Sequence, residues 1–239
     1  ARINTHKINI GKELKIGTLI IKLKTCQTRP PFLPPDSAIF IQIYDFGLEL
    51  ACQRIIEFFE REYDEEKTRT GGLKFFNKNR QKICATKTLS FAEDEDVNEL
   101  VYSFVSQGID RYCEDFSYLK NKEWRLSPSY NIQRYDGEEE GYFSLHNEAS
   151  GSYPYRMLAW MVYLNDAPSG TEFPYQDTTV KPRMGRTVIW PAAWTHPHKG
   201  VTPNEGVKYI ATGWFYYLPK GNPKFDGHHP DENIQEIMV

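Results

Sequence analysis

A histidine and a carboxylate two positions apart constrain this chain more than any other feature. His146 and Glu148 lie in the segment GYFSLHNE, whose composition is typical of a β-strand. Side chains at positions i and i+2 of a strand point to the same face of the sheet. An imidazole and a carboxylate on one face supply two of the three protein ligands of a mononuclear metal site. The pair alone is ambiguous, because strand histidines are also common in cores and on surfaces.

Two further histidines are available as a third ligand later in the chain. His196 and His198 lie in the segment PAAWTHPHKG and are separated by Pro197, which makes local irregularity expected. Two histidines and one carboxylate with open coordination positions are the ligand set of non-haem Fe(II) oxygenases. The residues by themselves leave the choice between the two histidines open.

Composition argues against several other classes of protein. The chain has 239 residues and a formal net charge of −3, so it lacks the basic surface expected of a nucleic-acid-binding protein. No apolar run has the length of a transmembrane helix. We therefore predict neither a nucleic-acid partner nor a membrane partner. Four cysteines without CxxC spacing are expected to be free thiols, and together with the lack of an N-x-S/T sequon they favour a cytoplasmic location.

The order of sequence segments predicts one domain between an arm and a tail. Residues 1–37 are predicted to form an irregular N-terminal arm, because the stretch TRPPFLPPDS carries four prolines. Residues 38–218 are predicted to form a single domain. Residues 219–239 combine glycine, proline and charged residues and are predicted to form a C-terminal tail.

Hydrophobic periodicity predicts two helices that precede most of the strands. Leu48–Glu62 and Val97–Tyr118 carry apolar residues at helical spacing. Short strands separated by Gly/Pro turns indicate a sandwich or a closed barrel, with its core at about residues 129–218. The fold class is therefore mainly β with flanking helices. The predicted strands are Ala38–Asp45, Tyr130–Tyr135, Tyr142–Glu148, Arg156–Asn165, Gly170–Phe173, Thr178–Lys181, Arg186–Trp190 and Lys208–Tyr217.

Between about Ser129 and Leu218 the chain resembles the Fe(II)- and 2-oxoglutarate-dependent oxygenases, and within them the prolyl 4-hydroxylase-like group. The resemblance rests on the segments QRY, GYFSLHNE, MVYLND, GTEF, HKGVTPNEGVKY and TGWFYY taken together. It implies a double-stranded β-helix, which is a jelly-roll barrel, packed against N-terminal helices. It also implies Fe(II) as the metal cofactor, 2-oxoglutarate and dioxygen as cosubstrates, and ascorbate as a further cofactor. The implied reaction is hydroxylation of an unactivated C–H bond such as that of a peptidyl proline.

The resemblance assigns three residues to catalysis and metal binding. His146 and Glu148 match the family's HxD/E element, although most members have aspartate where this chain has Glu148. The family's distal histidine precedes its 2-oxoglutarate-binding cation by about ten positions. His198 stands ten positions before Lys208 and His196 stands twelve before it, so His198 is preferred as the third ligand.

The same resemblance assigns five residues to the cosubstrate. Lys208 matches the cation that binds the far carboxylate of 2-oxoglutarate. Thr212 and Trp214 alternate with Lys208 along the last strand and would line the same pocket, with Thr212 as a hydrogen-bond partner of the cosubstrate, directly or through water. Tyr163 and Tyr135 match pocket tyrosines of the family.

Two other functions remain open from the sequence. The first is a binding module in which the same barrel carries a degenerate site, and Glu148 is its only support. The second is a cupin-type metalloenzyme that does not use 2-oxoglutarate. Lys208 and Tyr163 argue against it, because they would have no cosubstrate to hold. The substrate, whether protein, peptide or small molecule, is not specified, because loops determine specificity in such folds.

Overall fold

The computed structural model divides the chain into two compact units, Ala1–Leu33 and Pro34–Val239. The predicted C-terminal tail and the proline-rich stretch of the predicted arm lie outside the residues that the structure describes. Those residues are 13–16, 19–22, 40–70, 75–76, 82–92, 96–137, 139–151, 153–202 and 205–217.

The first unit contains a pair of antiparallel strands. Strand β1 spans Glu13–Ile16 and strand β2 spans Leu19–Lys22. The prediction that residues 1–37 are irregular is wrong for these two segments. Charged and apolar residues alternate in the β1 sequence ELKI, and the β2 sequence LIIK is mostly apolar and β-branched, so both segments favour extended structure.

Two long helices of the second unit precede most of its strands. Helix α1 spans Glu49–Thr70 and helix α2 spans Asp96–Asp115. Helix α1 continues past its predicted end at Glu62, because half of the residues from 63 to 70 are good helix formers and the segment contains no proline or glycine. Of the helices that the structure describes, none is both long and apolar enough to cross a membrane.

The strands of the second unit pair in two antiparallel sheets. These strands are β3 Gln42–Asp45, β4 Phe75–Phe76, β5 Lys82–Ser90, β6 Trp124–Leu126, β7 Ser129–Asp136, β8 Gly141–Tyr142, β9 Arg156–Tyr163, β10 Gly170–Phe173, β11 Thr178–Val180, β12 Arg186–Pro191, β13 Lys199–Val201 and β14 Val207–Tyr217. The larger sheet has the order β3-β12-β9-β14-β7-β5-β4, with β6 paired to β14 and β8 paired to β5, and the smaller sheet has the order β11-β10-β13. Two such sheets enclosing a common core form a jelly-roll barrel, as the sequence predicted.

The central strands divide the core into two layers. On one face of β14, Ala211 and Phe215 pack in a cluster with helix residues such as Phe104. On its other face, Ile210 and Trp214 pack in a cluster that also contains residues of the smaller sheet. This alternation follows from the period of two along a strand. The second cluster is the interior of the barrel, and the predicted site residues of β14 face it.

The predicted strand Tyr142–Glu148 is wrong for most of its length. Its first residue ends β8, and residues 143–148 are irregular except for an isolated bridge between His146 and His198. The backbone N–H of Glu148 donates to the carbonyl of Ala192 rather than to a neighbouring strand. The segment is therefore held by loop residues around His198, and His146 and Glu148 meet without being successive residues of one regular strand face.

Gly213 allows β14 to pass close to the ring of Trp160. A Cβ atom at position 213 would lie 2.5 Å from Cζ2 of Trp160, which is closer than non-bonded atoms approach. We expect Gly213→Ala to lower the free energy of unfolding by about 1–3 kcal/mol, because the buried ring must shift. Denaturant titration measures this change. A variant as stable as the original chain would show that Trp160 moves without cost.

Candidate functional site

Three side chains converge at one end of the barrel interior. The donor atoms of His146, Glu148 and His198 all lie within 4.8 Å of one another, a spacing that could hold a metal ion. Oε1 of Glu148 is 3.5 Å from Nε2 of His146 and 3.3 Å from Nε2 of His198. The structure therefore brings together the three residues that were predicted as metal ligands.

Backbone hydrogen bonds fix which nitrogen of each imidazole faces the centre. Nδ1 of His146 lies 2.9 Å from the carbonyl oxygen of Ser144, and Nδ1 of His198 lies 3.1 Å from that of His196. A carbonyl oxygen only accepts, so each Nδ1 carries the hydrogen and donates it. In the neutral rings the lone pairs of both Nε2 atoms then point toward Glu148. Metal-binding histidines are commonly oriented in this way.

The three converging donors need a cation or a shared proton between them. Burial raises the pKa of Glu148, but the hydrogen bonds and charges of the two imidazoles outweigh it and hold this pKa well below its usual value. The carboxyl group is therefore ionised and can act as an electron-pair donor. A divalent metal ion between the three donors would satisfy all of them at once.

Aromatic rings restrict the orientation of both histidines. The ring of Tyr142 stacks on His146 with centroids 3.6 Å apart and an angle of 11° between the planes. The ring of His198 lies 5.3 Å from that of Phe173 and 5.0 Å from that of Trp190. Such packing holds the imidazoles in one rotamer and limits the access of water.

The second oxygen of Glu148 faces away from the histidines. Nε1 of Trp214 donates to Oε2 of Glu148 at 2.8 Å, and Nη1 of Arg156 lies 3.3 Å from the same oxygen. The guanidinium of Arg156 lies over the ring of Trp214 at 3.5 Å and over the ring of Tyr153 at 4.0 Å. Trp214, which was predicted to line the cosubstrate pocket, thus contacts a metal-ligand candidate directly.

His196 is buried near the three converging residues but does not join them. Its Nδ1 lies 2.9 Å from Oγ1 of Thr195, and its ring meets Phe40 edge-on with centroids 6.5 Å apart. The geometry therefore favours His198 over His196 as the third ligand. The backbone carbonyl of His196, rather than its side chain, serves the site by accepting from His198.

Lys208 places a buried positive charge in the barrel. The residue is 3% exposed, and Nζ donates to the carbonyl of Val201 at 3.4 Å and lies 4.7 Å from the ring centre of Tyr135. Among the described residues no carboxylate lies within 4.0 Å of this Nζ. Burial lowers the pKa of Lys208 to about 8, and nearby Cys84 opposes that shift. A buried ammonium without an anionic partner is costly, so the site fits a ligand that brings a carboxylate.

The other predicted cosubstrate residues line the barrel but have protein partners. Oη of Tyr163 is 2.7 Å from Oγ1 of Thr171 and 3.2 Å from a backbone carbonyl. Oη of Tyr135 donates to Oε1 of Gln133 at 2.7 Å. Roles for both tyrosines in cosubstrate binding remain predictions.

The hydroxyl of Thr212 is engaged within the sheet. Its Oγ1 donates to the carbonyl of Trp160 at 2.9 Å. A carboxylate only accepts, so Thr212 cannot donate to 2-oxoglutarate while this bond is kept. The predicted direct hydrogen bond is therefore not available in this arrangement, and a contact through water would use Thr212 as an acceptor.

Sequence reasoning did not single out three residues that contact the site. Thr171 lies against Tyr163, Tyr142 stacks on His146, and Arg156 contacts Glu148. Thr171 could have been found, because it is a polar residue in the otherwise matched segment GTEF. Tyr142 and Arg156 carried no distinguishing signal, since aromatic and basic residues are frequent in strands and loops.

Residues 130–216 match the sequence model of the 2OG-Fe(II) oxygenase superfamily. This segment belongs to that superfamily. The match covers both ligand-bearing loops and ends within β14, so all of the site residues described above lie within the oxygenase segment. Enzymes of the family use Fe(II) and 2-oxoglutarate, and two imidazoles, a carboxylate and a buried ammonium are a donor set that fits both groups. No curated protein sequence matches the chain.

Solved structures share the fold of the oxygenase at low sequence identity. A viral collagen prolyl hydroxylase from Paramecium bursaria chlorella virus-1, solved with 2OG, is 15% identical with a TM-score of 0.55, and the match covers 75% of this chain and 97% of that chain. A Trichoplax adhaerens prolyl hydroxylase, in complex with a hypoxia inducible factor peptide fragment, is 14% identical with a TM-score of 0.52, over 74% and 83% of the two chains. The carbocyclase SnoK from nogalamycin biosynthesis is 13% identical with a TM-score of 0.53, and the match covers 78% of this chain and 85% of that chain.

Proposed function

We propose that this oxygenase hydroxylates a peptidyl proline. In this proposal His146, Glu148 and His198 hold Fe(II), and Lys208 binds the far carboxylate of 2-oxoglutarate. The observation that carries the proposal is the convergence of three electron-pair donors in a barrel that also contains an ammonium without an anionic partner among the described residues. A degenerate binding module would have no need to keep both features.

The protein's own groups would prepare the site in three ways. The backbone carbonyls of Ser144 and His196 hold the hydrogens of the two imidazoles and keep Nε2 free for the metal. Lys208 orients 2-oxoglutarate by a charge-assisted hydrogen bond in a buried environment.

When bound, Fe(II) would supply the coupled oxidation of 2-oxoglutarate to succinate and carbon dioxide. One oxygen atom of dioxygen enters succinate and the other enters the C–H bond of the substrate. The surrounding rings exclude water, which protects a reactive site from side reactions.

Apolar side chains around the site support a peptidyl substrate with a proline ring. Phe143 and Leu145 shortly precede His146 in sequence and are 41% and 49% exposed. Tyr153 and Tyr155 follow Glu148 and are 43% and 47% exposed. Exposed aromatic residues are a common surface for proline-rich segments. Two of the solved neighbours are named as prolyl hydroxylases, in agreement with this choice of substrate.

A peptide assay tests the proposed substrate. The oxygenase is incubated with Fe(II), 2-oxoglutarate, ascorbate and a proline-rich peptide, beside the same peptide with each proline replaced by alanine. We expect succinate and a peptide gain of one oxygen atom only with the proline peptide. Succinate formed equally with both peptides, and no oxygen gained by either, would contradict peptidyl proline as the substrate while leaving the oxygenase site intact. Omitting ascorbate from a parallel reaction tests its predicted role.

Cosubstrate affinity should fall as the pH rises through about 8. The ammonium form of Lys208 attracts the carboxylate of 2-oxoglutarate, and its pKa in the free protein is about 8, so deprotonation above that pH removes the attraction. We expect the Kd for 2-oxoglutarate to rise by about tenfold per pH unit above this point. Calorimetric titration of the metal-loaded protein measures it. In Lys208→Arg the Kd for 2-oxoglutarate should no longer rise above pH 8, because a guanidinium does not titrate in this range. If the Kd for 2-oxoglutarate of the unchanged chain did not change with pH, the assignment of Lys208 as the cosubstrate cation would be contradicted.

A further inference from the structure

We propose that Trp214 and Arg156 form a clamp on the outer oxygen of Glu148, which fixes the long glutamate side chain so that its other oxygen faces the metal position. This inference rests on the proposed metal site. It assigns both residues as positioning residues, because they act on the metal through Glu148.

The two oxygens of Glu148 have separate partners. Oε1 faces the Nε2 atoms of His146 and His198 at 3.5 and 3.3 Å. Oε2 accepts from Nε1 of Trp214 at 2.8 Å and lies 3.3 Å from Nη1 of Arg156. The indole and the guanidinium only donate, so neither can compete with the carboxylate for a metal ion. The clamp therefore leaves Oε1 as the single oxygen directed at the metal position.

A glutamate needs this restraint more than an aspartate does. Its additional rotatable bond gives the carboxylate more positions, and fixing them costs side-chain entropy. The side chain of Glu148 is 14% exposed, so a carboxylate turned away from the histidines would be poorly solvated. Two donors on Oε2 select the one orientation that presents Oε1 to both imidazoles.

The clamp is itself held rigidly. The guanidinium of Arg156 lies between two rings, 3.5 Å from that of Trp214 and 4.0 Å from that of Tyr153. Stacking of this kind fixes a planar cation without using its hydrogens. Trp214 belongs to the long central strand β14 and packs against the barrel core, so its N–H is held in place by the sheet.

The geometry also predicts the effect of a shorter carboxylate at position 148. Aspartate is shorter than glutamate by one methylene, about 1.5 Å. A carboxylate withdrawn by that length from its present position cannot keep both the contact with the histidines and the contact with the clamp. Glu148→Asp should therefore weaken metal binding in this chain, although the carboxylate itself is kept.

Titration with Co(II) in the absence of 2-oxoglutarate tests the clamp without relying on activity. The visible absorption of bound Co(II) reports both affinity and coordination. We expect Trp214→Phe and Arg156→Gln each to raise the Kd for Co(II) by about 10- to 100-fold and to shift the absorption bands. Trp194→Phe is the matched control, because Trp194 is 74% exposed, and it should leave affinity and spectrum unchanged.

A double-mutant cycle separates the clamp from a general loss of structure. In the Glu148→Asp background the additional effect of Trp214→Phe should be less than about threefold, because the clamp no longer holds the carboxylate. An equal effect in both backgrounds would overturn the clamp. If Trp214→Phe fails to fold, the same cycle with Arg156→Gln decides, since Arg156 lies at the edge of the barrel with its side chain 17% exposed.

The remaining outcomes distinguish the clamp from the proposed function. If the unchanged protein binds Co(II) and both single variants bind it with the same affinity and spectrum, the clamp is wrong and the metal site stands. If the unchanged protein does not bind Co(II), the metal site and the clamp are both overturned.

Discussion

Replacing His198 with alanine is expected to abolish metal binding and 2-oxoglutarate turnover together. The variant removes one of three donor side chains that converge within 4.8 Å, so only two donors remain at the site. Loss of a direct ligand should exceed the roughly 10- to 100-fold loss typical of changes outside the ligand set. Metal content after Fe(II) or Co(II) loading, together with succinate production, measures the effect.

The neighbouring histidine provides the matched control for this substitution. His196→Ala removes an imidazole of the same size from a buried position two residues away, but it keeps the backbone carbonyl that accepts from His198. We expect both His196→Ala and the unchanged protein to bind about one metal per chain. If His196→Ala lost its metal and His198→Ala kept it, the assignment of the third ligand would be reversed.

The second large effect is expected from Lys208→Ala. This change removes the buried ammonium that we propose as the charge partner of the cosubstrate carboxylate. Truncating one member of a buried charged pair costs about 2–5 kcal/mol, which corresponds to a rise in Kd or KM for 2-oxoglutarate of roughly 30- to several thousand-fold. Metal affinity should not change, because Lys208 is not among the metal-ligand candidates. Titration with 2-oxoglutarate and with metal, performed separately, tests both statements.

A lysine of the smaller sheet serves as the control for Lys208. Lys199 lies in β13 and pairs with Glu172 at 3.1 Å, with its side chain 39% exposed. Lys199→Ala should leave the affinity for 2-oxoglutarate within about twofold, because an exposed ion pair contributes little. An unchanged KM in Lys208→Ala would exclude Lys208 as the cosubstrate cation. It would also support the alternative of a cupin-type metalloenzyme that does not use 2-oxoglutarate, against which Lys208 is evidence.

The sequence predicted the architecture well where periodicity is strong. The long strand around Lys208 alternates between helix-facing and barrel-facing residues, and β14 shows that alternation in its two core clusters. Both ends of helix α2 and the first residue of helix α1 were predicted to within three residues. Helix α1 was predicted too short, since charged residues that favour helix were interpreted as a loop. The arm was predicted as irregular because its prolines outweighed the short apolar segments that form β1 and β2.

The local structure of the site was less predictable than its residues. His146 and Glu148 were chosen for strand geometry, yet the structure joins them through an irregular segment tied to the His198 loop. Contacts between residues distant in the chain produce this arrangement, and no local pattern encodes them. The same holds for Arg156, whose role depends on the positions of Trp214 and Glu148.

The hypothesis of a degenerate site rested on Glu148 alone. In the structure Oε1 of Glu148 reaches both histidines and its Oε2 is held by two donors, so the glutamate side chain is accommodated at the site. This geometry supports a metal site that uses glutamate as its carboxylate ligand.

Anaerobic absorption spectroscopy tests the central claim most directly. Fe(II) is added to the protein without dioxygen, and 2-oxoglutarate is then titrated into the mixture. Binding of the 2-oxo acid to iron held by His146, Glu148 and His198 should produce a weak visible charge-transfer band that saturates at about one equivalent per chain. The band should be absent in His198→Ala and should require far more 2-oxoglutarate in Lys208→Ala. No band at any concentration in the unchanged protein would contradict the assignment of these residues to an Fe(II)- and 2-oxoglutarate-binding site.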